Sequence, residues 1–345
     1  MSQISRSIVL LSLSALLGVP TTPLLSPPAL AQTTCNPNQS RENELANQLN
    51  AARESLERGN SAAALNALQT AIALANSLQP SSIQPGLISE WLIDDPGTGS
   101  KRFEKLIQIA DATQQPQLRS QLTQLAQLTQ RLSPSYRTTR ALGLAAIAPV
   151  AIALQQPQLA SQSLTQATET ARTISDAAFR TNSLLEIAAG YAAIAQPQTA
   201  QTLLAQVEPL VPKLSPTDQI NRTLRLATIY AQVGNDRKAI ALVNKLAKTP
   251  EAQANAQLEI VRAYLKAQKF AAAEPAIAAI KLLPQRAAAI GELAIAYEAA
   301  NQPKKATQRF QQVLQMTKSN SDSTVRDPIL RTLALNYLQA RRRDQ

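Results

Sequence analysis

The chain has no histidine, a single cysteine (Cys35) and eleven aromatic residues among 345. These shortages remove His-based triads, His metal sites, disulfide frameworks and aromatic platforms for stacking bases. Glycine is scarce as well, with 9 residues, and the apolar run at the start, Ile8 to Val19, is too short to span a bilayer as a helix. What is abundant is Ala, Leu and Gln, at 60, 48 and 37 residues. All three favour helices, so the balance predicts an all-α protein.

The first 31 residues read as a secretory signal. Arg6 is their only charge, Ile8 to Val19 is apolar, and Ala29-Leu30-Ala31 offers small residues to a signal peptidase. Pro20, Pro23, Pro27 and Pro28 would stop a helix from continuing into the body. Gln32-Thr33-Thr34 before Cys35 does not fit a lipoprotein signal, so no lipid anchor is expected. Beyond Ala31 the net charge is +10, and its distribution is uneven: Gln32 to Pro212 carries −1 and Lys213 to Gln345 carries +11. A basic half of this kind is a solvated face or an attraction to acidic protein, anionic lipid or polymer.

Self-alignment reveals repeats. Tyr191, Tyr230, Tyr264, Tyr297 and Tyr337 share one phase, with spacings of 39, 34, 33 and 40. Stepping back reaches Ala151, Ala110 and Ser55, which makes eight anchors. Four residues before them lie Ala51, Leu106, Ile147, Ile187, Leu226, Ile260, Leu293 and Leu333, all apolar. With the residues three before, they form a stripe at helical spacing, here termed helix A. Six past the anchor come Pro116, Pro157, Pro197 and Pro303, fit for the first position of a second helix, B. Gly59-Asn60-Ser61 and Gly234-Asn235-Asp236 serve the same turn elsewhere. The inward stripe of helix B sets Ala64, Arg119, Ala160, Ala200, Ala239, Ala273 and Ala306 nine past the anchor. Thirteen past come Leu68, Thr123, Leu164, Leu204, Val243, Ile277 and Phe310. The small residue lets A and B approach closely.

Leu226-Ala227-Thr228-Ile229-Tyr230 with Ala239 to Val243, and Leu293-Ala294-Ile295-Ala296-Tyr297 with Ala306 to Phe310, resemble the tetratricopeptide repeat. That resemblance implies an α-solenoid of about seven antiparallel helix pairs plus a C-terminal helix, and assembly or adaptor work. No repeat has the family's early Trp, Ala replaces its Gly, and spacings of 39 to 41 approach HEAT-type length, the structural alternative. The expected division is a signal peptide at 1–31, a short disordered segment at 32–41, a first helix pair at 42–78, a loop insertion at 79–100, and repeats over 101–345 ending in a capping helix.

Two interruptions stand out. The insertion holds Pro80, Pro85, Pro96 and the only Trp, so it reads as a loop with one turn of helix around Leu87 to Ile93, Trp91 and Leu92 plugging a gap between repeats. Asp94-Asp95 in a Pro-Gly turn has no partner ligands and is not a metal site. The apolar stretch 141–154 is uncharged and carries Pro149; it buries more than one side, lines an apolar groove or meets a second copy.

No spacing marks a catalytic site, so the chain reads as non-enzymatic, with no cofactor and no metal. The signal and the few aromatics argue against nucleic acid. The favoured expectation is an exported scaffold that binds a partner protein or peptide on the concave surface of the solenoid. Its compartment is expected to be the periplasm, with a secreted or lumenal form as the alternatives. The competing reading is docking to anionic lipid or envelope polymer through the basic half. At 100° per residue the stripe opposite the core falls nine, five and two before the anchor and two after it. The candidate partner-binding residues are therefore Asn182, Glu186, Asn221, Arg225, Thr228, Gln232, Asn255, Glu259, Arg262 and Lys266. Asn recurs three times at one height, suited to hydrogen bonding an extended backbone, and Arg225, Arg262 and Lys266 are expected to make the groove basic.

Overall fold

The computed structural model describes residues 37–78, 83–93, 102–246, 249–318 and 320–342. The expected signal peptide, Cys35 and Asp94-Asp95 lie outside them. Among the described residues there are helices and turns and no strand. In chain order the helices are α1 (Pro37–Glu57), α2 (Ser61–Ser77), α3 (Ile83–Leu92), α4 (Arg102–Ile109), α5 (Gln115–Arg131), α6 (Arg137–Ala153), α7 (Pro157–Arg172) and α8 (Ala177–Ala193). They continue as α9 (Pro197–Val207), α10 (Pro216–Gln232), α11 (Asp236–Leu246), α12 (Pro250–Lys266), α13 (Phe270–Ala279), α14 (Leu283–Ala299), α15 (Pro303–Lys318) and α16 (Ser323–Arg342). Seven pairs follow, α1/α2, α4/α5, α6/α7 and so on to α14/α15, and α16 closes the stack. From α8 onward each helix A packs on the A helices before and after it, starting with α6 against α8 and ending with α14 against α16. The fold is an all-α solenoid.

From α6 to α15, repeat length varies in one half of the unit only. Helices α6, α8, α10, α12 and α14 all have 17 residues. Over the same repeats helix B ranges from 10 residues in α13 to 16 in α7 and α15. Short 3₁₀ turns at Pro134–Tyr136 and Val211–Lys213 lengthen two of the B-to-A connections. The spacings of 39 to 41 thus arise on the B side, while the A row keeps a constant pitch.

The A-to-B turn is one motif used six times. Four residues past the anchor, Gly59, Gln155, Ala195, Gly234, Gln268 and Asn301 all have positive φ, between 55° and 84°. The next N–H reaches back to the anchor carbonyl in each, as in Gln196 to Tyr191 at 2.9 Å and Asn235 to Tyr230 at 2.8 Å. This is a Schellman closure, which satisfies helix-end carbonyls and prefers glycine at the left-handed position. Only two of the six are glycine, because a left-handed L-residue costs about 1–2 kcal/mol and the packed helices can bear it. Ala195→Gly should therefore raise stability by about 0.5–1 kcal/mol, the gain being reduced by glycine's extra unfolded-state entropy. An unchanged denaturation midpoint would show that the strain at Ala195 is relieved elsewhere.

The second pair departs from the expected register. Its turn is a capping box instead: the Asp111 side chain accepts from Thr113 and Gln114 N–H, and Gln114 accepts from Asp111 N–H. This connection is one residue shorter in phase. The buried stripe of α5 is accordingly Leu118 and Leu122, both 0% exposed, rather than Arg119 and Thr123, which are half-buried.

Both ends also correct the expected stripe. Helix α1 starts at Pro37, ahead of the Glu42 boundary and inside the segment expected to be disordered, and it buries Leu45, Leu49, Ala52 and Leu56 while Ala51 is exposed. The residue four before the anchor faces the preceding pair, and among the described residues none precedes α1. Tyr191, Tyr230, Tyr264 and Tyr297 are buried packing residues, whereas Tyr337 is 44% exposed, and among the described residues no helix B packs on α16.

The 79–100 insertion, expected to be a loop with one helical turn, contains the ten-residue α3. It packs along α6 and touches α1, α4 and α5. Leu87, Ile88, Trp91 and Leu92 are buried in this junction. Glu90 fastens it from outside, bridging Arg53 at 3.1 Å and Arg102 at 3.4 Å. Gly143 of α6 is what lets α3 in, since a Cβ there would stand 2.6 Å from the Ile88 Cγ2 methyl. The part of α6 from Ala141 on is buried on several sides by α3, α5, α7 and α8, which accounts for its lack of charge. No helix among the described residues is long and apolar enough to cross a membrane.

Candidate functional site

Helices α10 and α12 are set by similar starts. Ser215 and Thr249 cap them, accepting from Asp218 and Ala252 N–H, and Pro216 and Pro250 open the first turn. The core stripes of both helices turn Tyr230 and Tyr264 inward. Their opposite stripes face each other across a groove of about 330 Å³. Asn221, Arg225, Thr228 and Gln232 line it from α10, and Glu259, Arg262 and Lys266 from α12, with Leu224 and Ala263 adding apolar surface. Seven of the ten expected residues thus meet in one place. Asn182 and Glu186 stand on α8, and Asn255 on α12, outside this lining.

The charges differ from the basic groove expected. Arg225 donates to Glu186 through Nε at 2.8 Å and Nη2 at 2.6 Å, a bidentate link from α10 to α8. Arg262 makes the corresponding link forward, from Nη2 to Glu292 of α14 at 2.7 Å, and also donates to Glu259 at 2.5 Å. Those hydrogen bonds, with Glu292 first, raise the Arg262 pKa above its ordinary value. Three arginine and lysine charges thus face three carboxylates, because the polar stripe is satisfied mainly between neighbouring A helices. Thr228, expected to face water, is 9% exposed and donates to the Arg225 carbonyl at 2.8 Å.

What remains open to a ligand is narrower. Asn221 and Lys266 are exposed, and among the described residues neither has a hydrogen-bond or ion-pair partner. Gln232 is half-buried at the end of α10, where Lys269 Nζ caps its carbonyl at 2.6 Å. The groove therefore offers amide groups for a peptide backbone, a cation for a carboxylate, and a small apolar floor. Two residues of the same face were missed: Glu292 and Gln285, the latter donating to Asn255 Oδ1 at 3.0 Å. Both lie on α14; Glu292 stands five before Tyr297, so extending the phase argument by one repeat finds it, whereas Gln285, twelve before, lies a turn ahead of the offsets used.

The inner side of the same helices carries a second polar set. Tyr230 donates to Glu208 of α9, and Lys238 of α11 donates to that carboxylate at 2.6 Å. Burial, and then the Glu208 contact, push the Tyr230 phenol up to about 12. Tyr297 donates to Glu274 at 3.3 Å, which also receives Arg309. These sets tie a helix A to the helix B before it and the helix B after it, so the anchors hold the groove walls in place. Among the described residues no group of three or more acidic or sulfur side chains could hold a metal ion.

A scan against protein families finds none that matches, and no curated protein sequence matches either. Among solved structures, Ton1535 from Thermococcus onnurineus NA1 is similar at 12% identity and a TM-score of 0.39, covering 83% of this chain and 99% of that one. A Rap protein in complex with competence and sporulation factor gives 14% identity, 88% and 90% coverage and a TM-score of 0.36. The apo form of the quorum sensor NprR from B. thuringiensis gives 13%, 88% and 82%, and 0.33. At scores this low the likeness transfers no function.

Proposed function

We propose that the chain is a non-enzymatic, exported binding scaffold that holds an extended segment of a partner protein or peptide in the groove between α10 and α12. The observation that carries this reading is the convergence of Asn221, Gln232 and Lys266 on one groove whose arginines are already held by carboxylates. A groove with fixed walls and a few uncommitted donors suits main-chain recognition, and Lys266 adds a site for an acidic side chain or a terminal carboxylate. Export rests on the N-terminal signal reading, with the periplasm as the compartment and a secreted or lumenal form as the alternatives.

The competing reading, docking to anionic lipid or polymer, draws less support. Four basic residues of that half, Arg225, Lys238, Arg262 and Arg309, are already held by Glu186, Glu208, Glu259, Glu274 and Glu292. Truncating Arg225 or Arg262 would strand buried or half-buried carboxylates, so those residues make poor probes. The cleaner variant is Asn221→Ala with Lys266→Glu. Affinity capture from the native compartment should lose the partner about tenfold, a change of about 1.4 kcal/mol, with the thermal midpoint unmoved. Mass analysis of the captured chain should read Gln32 as its first residue. Unaltered capture would remove the groove as the site, and a retained Met1 would remove export.

A further inference from the structure

The residue six before the anchor is leucine in three successive repeats, Leu185, Leu224 and Leu258, and glycine in the next, Gly291. Where Gly291 stands, an apolar cavity of about 110 Å³ opens between α14 and α16. Ala288 and Gly291 form one wall and Pro328 and Thr332 the other, over the buried Val313 and Leu333. The one side-chain hydroxyl of this lining is committed, since Thr332 donates it to the Pro328 carbonyl at 3.0 Å. The cavity lies on the same face as the groove between α10 and α12. Ala288 and Pro328 hold the offset of Asn221, nine before the anchor, and Gly291 holds that of Leu224. Helices α10, α12, α14 and α16 pack in sequence, so the two openings belong to one surface. Ile295, half-buried, and Leu335, 60% exposed, add apolar area to it two residues before their anchors.

We infer that this cavity receives a leucine-sized aliphatic side chain of the partner segment whose acidic group meets Lys266, so that the concave face reads two residues of one peptide at a fixed separation. The inference rests on the reading of the α10–α12 groove as a peptide site. The occupant's size follows from the neighbouring repeats, each of which supplies its own leucine where α14 has none. It follows also from volume: an apolar cavity of about 150 Å³ holds a benzene ring, so the smaller space here suits a branched alkyl group. Lining atoms without a neighbour forfeit dispersion contacts, and an incoming alkyl group restores them. The separation follows from the stack. Lys266 stands two past its anchor on α12, about one and a half helix spacings across and about ten residues of helical rise along from the cavity, or about 20 Å on the diagonal. An extended chain covers that distance in about six residues. On the way it crosses Arg262 and Glu292, whose charges are already matched to each other.

The probe is a library of random peptides of about twelve residues, panned on the full chain. Enriched peptides should carry Asp or Glu and, roughly five to seven residues away, Leu, Ile or Val. Serine at the aliphatic position should weaken binding to the wild type at least tenfold. The same change should matter by less than about twofold in Gly291→Leu, which fills the cavity from within as Leu258 does in its own repeat. Thr332→Glu, an exposed change at the rim, should weaken the enriched peptides at least tenfold with the thermal midpoint unmoved, and it keeps the test open if Gly291→Leu unfolds. Peptides that need an acidic residue and Lys266, yet tolerate serine at the aliphatic position or place it at no fixed distance, would overturn the inference and leave the groove reading standing. So would a serine penalty that persists in Gly291→Leu, or enriched peptides indifferent to Thr332→Glu, since the side chain would then sit elsewhere. Failure to enrich any peptide would overturn both readings. Concentration-dependent self-association that Gly291→Leu abolishes would give the cavity to a second copy and overturn the inference as well.

Discussion

Trp91→Ala should lower the unfolding free energy by about 3–5 kcal/mol, the range for removing a buried large aromatic. Trp91 is fully buried where α3 meets the first repeats, and nothing else in the chain can fill its volume. Because pairs in a solenoid contact only their neighbours, the loss should not spread evenly. Far-UV circular dichroism in denaturant should show an early partial transition, as the pairs that lean on α3 melt before the C-terminal ones. Trp91→Phe should cost much less. It keeps most of the ring and drops the indole N–H, which is buried with no hydrogen-bond partner. Wild-type stability in the Ala variant would mean that α3 is not part of the core.

Leu118→Ala should cost about 2–5 kcal/mol, while Arg119→Ala next to it should change stability by less than about 1 kcal/mol. The repeat phase alone assigns the inward place to Arg119, and the capping-box turn at Asp111 moves it to Leu118. The pair of variants thus measures a one-residue shift directly. Chemical denaturation of each resolves the difference, and a larger loss at Arg119 would restore the register implied by the anchors. Arg119 does reach Gln155 at 3.3 Å, but the contact is exposed and worth little.

Periodicity carried most of the architecture. Apolar residues at a fixed offset from each anchor, and a proline or a Gly-Asn at the next helix start, are local signals that every repeat repeats. Helix pairs, their order and the polar face of α10 and α12 could therefore be read from phase alone. The register failed where local turn chemistry changed, at Asp111, and at the first and last described helices, where no described neighbour buries Ala51 or Tyr337. The length of α3 escaped because Pro85 and Gly86 discourage a helix that tertiary burial of Leu87, Ile88 and Trp91 then stabilises.

The electrostatics of the groove were the least legible part. Arg225, Arg262 and Lys266 look alike in a list of charges, yet two of them are matched to Glu186 and Glu292, 39 and 30 residues away in the chain. Such pairs form only when successive A helices stand side by side, so their existence depends on the pitch of the stack and not on any local pattern. Chain order and helical phase decide which side of a helix is polar, because both follow from 100° per residue. Which of those polar groups are left over for a partner is decided by packing between repeats, since a charge that already has a carboxylate 2.6 Å away has little left to offer a ligand.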